Sequence, residues 1–277
     1  MTAQASVRIE HVSKTYKTGR DTVVALQDVS LEIGEHDFVC IVGPSGCGKT
    51  TLLSLLAGFE RPDAGTVEAF GRRVEAPGPD RTMMFQDYAL FPWLTVRRNI
   101  GYGLRRLRVP RARREAIVER YVDLIGLRGF EHKYPRQLSG GMCQRVALAR
   151  AMAVDPRMLL MDEPFAALDS FAREKMQDEL VRVWSTEKKA VLFITHSIDE
   201  AVKLADVVAV MRARPGRILE TFRLDTPRPR IMDAPEQVAT IRRIRDILHR
   251  GAVVGAPATQ PGADSAFDST LQPRRRA

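Results

Sequence analysis

The chain has 277 residues, of which 44% are hydrophobic and 28% charged, and this length and composition are typical of a globular protein of roughly two domains. They exclude collagen, a coiled coil and a wholly disordered chain. The sequence lacks an apolar run of the roughly 18 residues that a membrane-spanning helix needs and lacks a secretory signal pattern, so we expect a cytosolic location. The net charge of +9 indicates an anionic partner, which could be a nucleotide, a nucleic acid or an anionic lipid.

Short β-branched runs alternate with helical stretches, which predicts an α/β fold with a mainly parallel sheet. Turns rather than helices join the first strands, so an antiparallel β flank is expected beside this core. Helical periodicity over residues 91–154 indicates an inserted helical subdomain. We expect the core over residues 1–90 and 155–231, a helix over 232–250 that opens at Pro235, and a disordered tail over 251–277. The predicted strands are 7–10, 25–33, 37–42, 66–70, 82–85, 158–161, 191–195 and 207–211.

A glycine-rich stretch that ends in Lys49 and Thr50 fits the phosphate-binding pattern G-x-x-x-x-G-K-[ST]. It follows an apolar strand and opens a helix that stops at Gly58, which is the context that the mechanism requires. Backbone N–H groups of such a loop converge on phosphate oxygens, Lys49 reaches the β and γ phosphates, and the Thr50 hydroxyl binds Mg²⁺. The predicted nucleotide-binding residues here are Gly43, Pro44, Ser45, Gly46, Cys47, Gly48, Lys49, Thr50 and Thr51.

Three cysteines without paired spacing argue against a disulfide framework and against a zinc site. Cys40 lies within an apolar strand and is expected in the core. Cys47 lies in the phosphate-binding loop near a helix N-terminus, where thiols become more acidic, so we expect its pKa to be lowered.

A pair of carboxylates, Asp162 and Glu163, ends another apolar strand. Asp162 is suited to hold Mg²⁺, and Glu163 is suited to polarise the water that attacks the γ-phosphate as a general base. A carboxylate pair that merely caps a strand is the alternative. The sequence has no N-K-x-D string, the base-reading motif of a GTPase.

A second candidate phosphate site lies in the helical insert, where Ser139, Gly140 and Gly141 precede a helix. Ser139 is a natural N-cap, and the glycines allow an anion to approach free backbone N–H groups. On its own, such a segment is more often a plain helix cap.

The segment 138–151 resembles the signature motif of the ABC-type ATPases, and further motifs of that family surround it in order. Tyr16 resembles the aromatic residue that stacks on adenine, and Gln86 resembles the Q-loop glutamine, which also binds Mg²⁺. Asp169 resembles the D-loop aspartate, and His196 resembles the switch histidine that contacts the γ-phosphate.

This resemblance implies an ATPase that uses ATP and Mg²⁺ and works as a head-to-tail dimer, in which the phosphate-binding loop of one copy meets Ser139–Gly141 of the other. The stretches 90–96, 173–184, 214–218 and 227–230 are similar to ATPases of nitrate, sulfonate and taurine importers. The resemblance therefore implies membrane permease subunits as partners, indirect coupling to an external solute-binding protein, and a peripheral location on the cytoplasmic face of the membrane. A soluble ABC ATPase acting on nucleic acid or the ribosome, or an exporter subunit, remains the alternative, although we expect no nucleic acid partner.

The positive charge is concentrated in one stretch, because residues 97–120 contain nine arginines and two glutamates. This stretch follows Phe91, Pro92 and Trp93, which in the resembling transporters help to receive a membrane subunit. We expect the arginines either to face that subunit or anionic headgroups, or to form a solvated helix face.

Overall fold

The computed structural model describes residues 5–19, 21–85, 89–166 and 168–254. The strands in these ranges are β1 (Ala5–Thr18), β2 (Asp21–Gly34), β3 (Phe38–Val42), β4 (Ala64–Ala69), β5 (Arg72–Arg73), β6 (Arg81–Met84), β7 (Met158–Asp162), β8 (Ala190–Thr195), β9 (Val207–Arg212) and β10 (Arg217–Arg223). Among the described residues, one antiparallel sheet has the order β2-β1-β4-β5, and a second has the order β10-β9-β3-β8-β7-β6. The second sheet is parallel except for β10. This sheet confirms the predicted parallel core, and the first sheet confirms the predicted antiparallel flank.

The helices are α1 (Lys49–Ala57), α2 (Val96–Ile100), α3 (Tyr102–Arg106), α4 (Arg111–Leu124), α5 (Gly140–Ala153), α6 (Ser170–Glu187), α7 (Ile198–Leu204) and α8 (Pro235–Val254). Helices α2 to α5 lie between β6 and β7 in the chain, which confirms the predicted helical insertion. Helix α8 starts at Pro235 as predicted. It ends at Val254, so residues 251–254, which were predicted as the start of the disordered tail, are helical. The rest of that tail, residues 255–277, lies outside the described residues. None of the helices in the described ranges combines the length and apolarity that crossing a bilayer requires.

Two predicted strands are longer in the structure, and two further strands were not predicted. Strands β1 and β2 pair over 14 residues each, but their register shifts near His11, whose φ of 50° marks a bulge. A bulge breaks the alternation of polar and apolar residues that reveals a strand in the sequence. Strand β10 is a half-exposed edge strand, and β5 has only two residues, so neither carries a strong pattern.

The core lies on both faces of the parallel sheet because side chains alternate between its faces. Phe38, Cys40 and Val42 of β3 pack with the helical insertion and with α6 to α8, while Val39 and Ile41 pack against α1 and the antiparallel sheet. The expected core position of Cys40 is therefore confirmed. Helix α1 is buried by both sheets, and its leucines are almost fully inaccessible. The helix that follows the phosphate-binding loop is thus fixed between the two sheets.

Two arginines of the Pro227–Arg230 stretch stabilise the C-terminal end of α7. Arg228 donates to the Leu204 carbonyl and to Asp206 Oδ1, and its guanidinium lies 4.2 Å from the Trp184 ring centroid. Buried Arg230 donates to the carbonyls of Val202 at 2.8 Å and Ala205 at 2.6 Å. Burial, followed by the neighbouring Arg228 charge, lowers the pKa of Arg230 below its ordinary value. These arginines supply donors for carbonyls that have no partner within a helix that ends.

Replacing Arg230 should destabilise the fold without touching the cleft described below. Arg230→Met keeps an unbranched side chain but leaves buried carbonyls unpaired, so we expect the free energy of unfolding to fall by about 3 kcal/mol. Chemical denaturation checks this value. The matched control is Arg242→Met on the exposed face of α8, which should change stability by less than about 0.5 kcal/mol. Equal stability of the two variants would contradict the assigned role.

Candidate active site

The phosphate-binding loop, residues 43–50, lies between β3 and α1, as predicted. Gly48 adopts φ 91° at the N-cap of α1, and a Cβ atom there would lie 2.7 Å from the Ala25 carbonyl oxygen. Only glycine fits a left-handed conformation in that space. The loop is therefore held against β2 of the antiparallel sheet.

Lys49 lies at the floor of this space. Its side chain is only 5% exposed, and Nζ donates to the carbonyls of Gly43 at 2.8 Å and Pro44 at 3.0 Å. Nζ also lies 3.8 Å from Glu163 Oε1. The loop carbonyls and this carboxylate fix the position of the ammonium group, as a phosphate-binding lysine requires.

Thr50 and Asp162 lie side by side, although 112 positions separate them in the chain. The Thr50 hydroxyl donates to Asp162 Oδ2 at 2.9 Å. Burial raises the pKa of Asp162 above its ordinary value, because a carboxylate loses solvation there. Two hard oxygen ligands beside a phosphate site are the donors that Mg²⁺ prefers, and a divalent cation would offset the cost of burying the charge.

Glu163 and His196 end the neighbouring strands β7 and β8, so the parallel sheet brings them together. His196 Nδ1 lies 2.9 Å from Glu163 Oε2. The Glu163 backbone has φ 42°, and its N–H donates to the Ile194 carbonyl at 3.0 Å. A left-handed glutamate costs about 1–3 kcal/mol and is retained where the side chain must point in one direction. Here that direction is toward Lys49 and His196.

These residues line a cleft of about 370 Å³, which we call the nucleotide cleft. Tyr16 lies at its rim, as expected for the aromatic residue that would stack on adenine. Four lining residues, Val23, Val24, Ala25 and Arg214, were not predicted as binding residues from the sequence. The complete lining is Tyr16, Val23, Val24, Ala25, Ser45, Gly46, Gly48, Lys49, Thr50, Thr51, Glu163 and Arg214.

The expectation of an acidic Cys47 is wrong. Its side chain points away from the cleft, where the residue is only 1% exposed. Burial raises the pKa of the thiol above its ordinary value, although the Lys49 charge and backbone N–H groups act in the opposite direction. Loss of solvation therefore outweighs the helix N-terminus, and the thiol is a core group.

Ser139, Gly140 and Gly141 lie outside the nucleotide cleft and line a separate cavity of about 500 Å³ together with Asp169. The Ser139 hydroxyl accepts a hydrogen bond from Met142 N at 3.3 Å, which confirms the predicted N-cap of α5. Asp169 caps α6 by accepting from Ala172 N at 2.9 Å. Beside them Phe171 is 78% exposed. Within one chain, Ser139–Gly141 and the phosphate-binding loop therefore line two separate cavities.

Gln86, the predicted Q-loop glutamine, lies outside the described residues. The structure therefore leaves its predicted contacts with the γ-phosphate and Mg²⁺ as expectations from the resemblance.

A buried carboxylate that sequence reasoning missed lies behind His196. Glu200 Oε2 accepts from the Thr195 hydroxyl at 2.5 Å, and Glu200 Oε1 accepts from Gln177 Nε2 at 3.2 Å. Arg173 lies 3.7 Å from the same carboxylate and donates to the Leu168 carbonyl at 2.9 Å. This network links the strand end that carries His196 to the turn before α6.

Known proteins that are similar to this chain fall in one family. A family model described as "ABC transporter" matches residues 26–166. An ABC transporter ATP-binding protein of Methanocaldococcus jannaschii is 46% identical over 245 residues, which are 88% of this chain and 92% of that protein. The nitrate import ATP-binding protein NrtD of Synechococcus elongatus is 42% identical, over 86% of this chain and 90% of its own. A dimeric post-hydrolysis structure of the ATP-binding cassette MJ0796 with ADP and Pi has a TM-score of 0.69 at 31% identity and covers 80% of this chain and all of that one.

Glu163→Gln should separate nucleotide binding from hydrolysis. The amide keeps the size of the side chain but cannot accept a proton from water, so ATP turnover should fall by at least about 100-fold. Phosphate release measures turnover, and equilibrium binding of ATP should stay within about threefold of the unchanged chain.

The control for this variant is Glu174→Gln, which alters an exposed glutamate on α6 and should leave both quantities unchanged. Near-normal turnover in Glu163→Gln would show that another group is the base.

Proposed function

Because the chain belongs to the ABC transporter family and is an ATPase, we propose that it is the ATP-hydrolysing subunit of an importer for a small solute of the nitrate, sulfonate or taurine type. The similarity to a nitrate import ATP-binding protein supports this proposal. The observation that carries it is an exposed aromatic platform, residues 91–94, which follows β6 and precedes α2.

The platform has a fixed backbone but an open surface. Fully buried Asn99 accepts from the Phe91 N–H at 2.9 Å, and its amide donates to the Leu94 carbonyl at 2.9 Å. The Phe91 ring packs on Tyr102 with centroids 4.3 Å apart. Trp93 nevertheless remains 68% exposed. An exposed, preorganised tryptophan is the kind of group that anchors a protein interface.

A cavity of about 640 Å³ adjoins the platform and is lined by five arginines and one glutamate. Its lining includes Leu94 together with Arg97, Arg98, Arg105 and Arg114. We propose that the membrane subunit contacts the platform and this cavity. The ATPase chain would then lie against the cytoplasmic face of the membrane, where each basic residue near anionic headgroups contributes about 1 kcal/mol of binding free energy.

Hydrolysis of ATP in the nucleotide cleft would supply the energy for import. With ATP bound, Lys49 would neutralise phosphate charge, Thr50 and Asp162 would hold Mg²⁺, and Glu163 would accept a proton from the attacking water. His196 Nδ1 lies 2.9 Å from the Glu163 carboxylate and, by the resemblance to the switch histidine, would contact the γ-phosphate. Bound Mg²⁺ would neutralise charge that develops on the transferred phosphoryl group.

Two copies of the chain would complete two ATP sites in head-to-tail orientation. Ser139, Gly140 and Gly141 of one copy would then approach the phosphates held by the other copy. The separation of the two halves within one chain, and the dimeric state of the ADP-bound cassette noted above, support this arrangement. ATP binding would close the dimer, hydrolysis would reopen it, and the platform would pass that motion to the permease.

Trp93→Ala should uncouple transport from hydrolysis. We expect it to lower solute-stimulated ATPase activity of the complex with the permease in liposomes by about tenfold, since a central interface tryptophan contributes at least about 2 kcal/mol. Basal activity of the isolated subunit should be unchanged, because Trp93 does not line the nucleotide cleft. The stimulating solute is sought among nitrate, alkylsulfonates and taurine.

The matched control is Phe130→Ala, another exposed aromatic residue of the helical insertion. Full stimulation in Trp93→Ala, or the same loss in Phe130→Ala, would contradict docking at the platform. The absence of stimulation by every anion and amine tested on the unchanged complex would instead contradict the proposed substrate class.

A further inference from the structure

Arg214 is a cation at the nucleotide cleft that the mechanism described above does not use. It lies in the turn between β9 and β10, residues 213–216, and its side chain is exposed and lines the cleft with Tyr16, Val23 and Val24. Among the described residues that line this cleft, the other cation is Lys49. The two differ in setting, because Lys49 is buried beside Glu163 while Arg214 lies in the open.

The turn that carries Arg214 is fixed against the phosphate-binding loop. Gly216 N–H donates to the Ala25 carbonyl at 3.2 Å, and the Gly216 carbonyl accepts from Gln27 N–H at 2.9 Å. A Cβ atom on Gly216 would lie 2.3 Å from the Cys47 carbonyl oxygen and 2.5 Å from that of Ala25. Any larger residue would push the turn off the loop. Arg214 is therefore presented to the cleft by a rigid element rather than by a free loop.

The side chain of Arg214 makes no hydrogen bond or ion pair with any residue in the described ranges. Its backbone has φ 58°, a conformation that costs a non-glycine residue about 1–3 kcal/mol. Its neighbour Arg217, by contrast, donates to Gln27 Oε1 at 3.1 Å. An unpaired guanidinium held at the mouth of a phosphate site has donors available for a ligand.

The position of Arg214 indicates which part of a nucleotide it meets. By the roles proposed above, the γ-phosphate end would belong to Lys49, Glu163 and His196, while Arg214 lines the cleft together with Tyr16 and the two valines. We propose that Arg214 is a nucleotide-binding residue that contacts the part common to ATP and ADP. A planar guanidinium suits this place, since it pairs with phosphate oxygens and stacks on a base.

Equilibrium binding of ATP and ADP to the full chain, each with Mg²⁺, tests the proposal. Arg214→Ala should raise the dissociation constants for ATP and ADP equally, by about tenfold, as expected for loss of a charge-assisted hydrogen bond. Arg214→Lys keeps the charge but not the planar fork, so its dissociation constants should lie between those of the unchanged chain and those of Arg214→Ala. In steady-state hydrolysis the KM should rise while kcat stays within about twofold.

The matched control is Arg212→Ala, which removes the same charge two residues away on β9, where the side chain lines a different cavity beside α8. It should leave both dissociation constants within about twofold. The proposal is overturned if Arg214→Ala binds ATP and ADP normally, if it loses ATP affinity alone, or if Arg212→Ala shows the same loss. Unchanged thermal unfolding of both variants shows that the comparison is made between folded proteins.

Discussion

The active site depends on one steric constraint, the contact of the phosphate-binding loop with backbone from both sheets. Gly48 lies against the Ala25 carbonyl of the antiparallel sheet, and Gly216, beyond the edge of the parallel sheet, lies against the Cys47 carbonyl of the loop. A side chain at either glycine would separate these layers. The cleft exists because the loop, β2 and the β9–β10 turn meet there without side chains between them, which also puts Tyr16 and Arg214 at its rim.

The parallel sheet accounts for the other half of the chemistry. Strands β3, β7 and β8 are neighbours, so their carboxyl ends bring the loop, the Asp162–Glu163 pair and His196 to one edge. Glu163 lies between Lys49 and His196 and cannot move independently of either. The buried Glu200 carboxylate behind this edge joins the His196 strand end to α6, whose first turn lies beside Ser139. Helix α6 is thus hydrogen-bonded to Glu200 behind His196 and also lines the cavity that contains Ser139.

The sequence predicted the features that are encoded locally. The loop and the acidic pair each depend on a strand, a turn and a helix that follow one another, Ser139 depends on the helix that it caps, and the resemblance supplied their order. Features that depend on distant contacts could not be predicted. Arg214 and Val24 reach the cleft only because the β9–β10 turn packs on β2, and no residue spacing reports that contact.

The wrong expectation for the pKa of Cys47 also results from a contact that the sequence does not specify. A thiol near a helix N-terminus is acidic if water reaches it, but α1 is buried between two sheets, so burial decides the pKa of Cys47. In the same way, Arg230 looks like a solvated basic residue in the sequence and is a buried helix cap in the fold. Burial follows from the packing of whole elements, which a single motif does not specify.

The central claim is that Ser139–Gly141 of one copy completes the ATP site of another. Sedimentation velocity of the Glu163→Gln chain with Mg²⁺ and ATP tests it most directly, with and without the further substitution Ser139→Arg. We expect an ATP-dependent dimer for Glu163→Gln, and a monomer with unchanged ATP binding once Ser139→Arg is added, because the arginine would occupy the space for the phosphates bound by the other copy. A doubly substituted chain that still dimerises with ATP would contradict it.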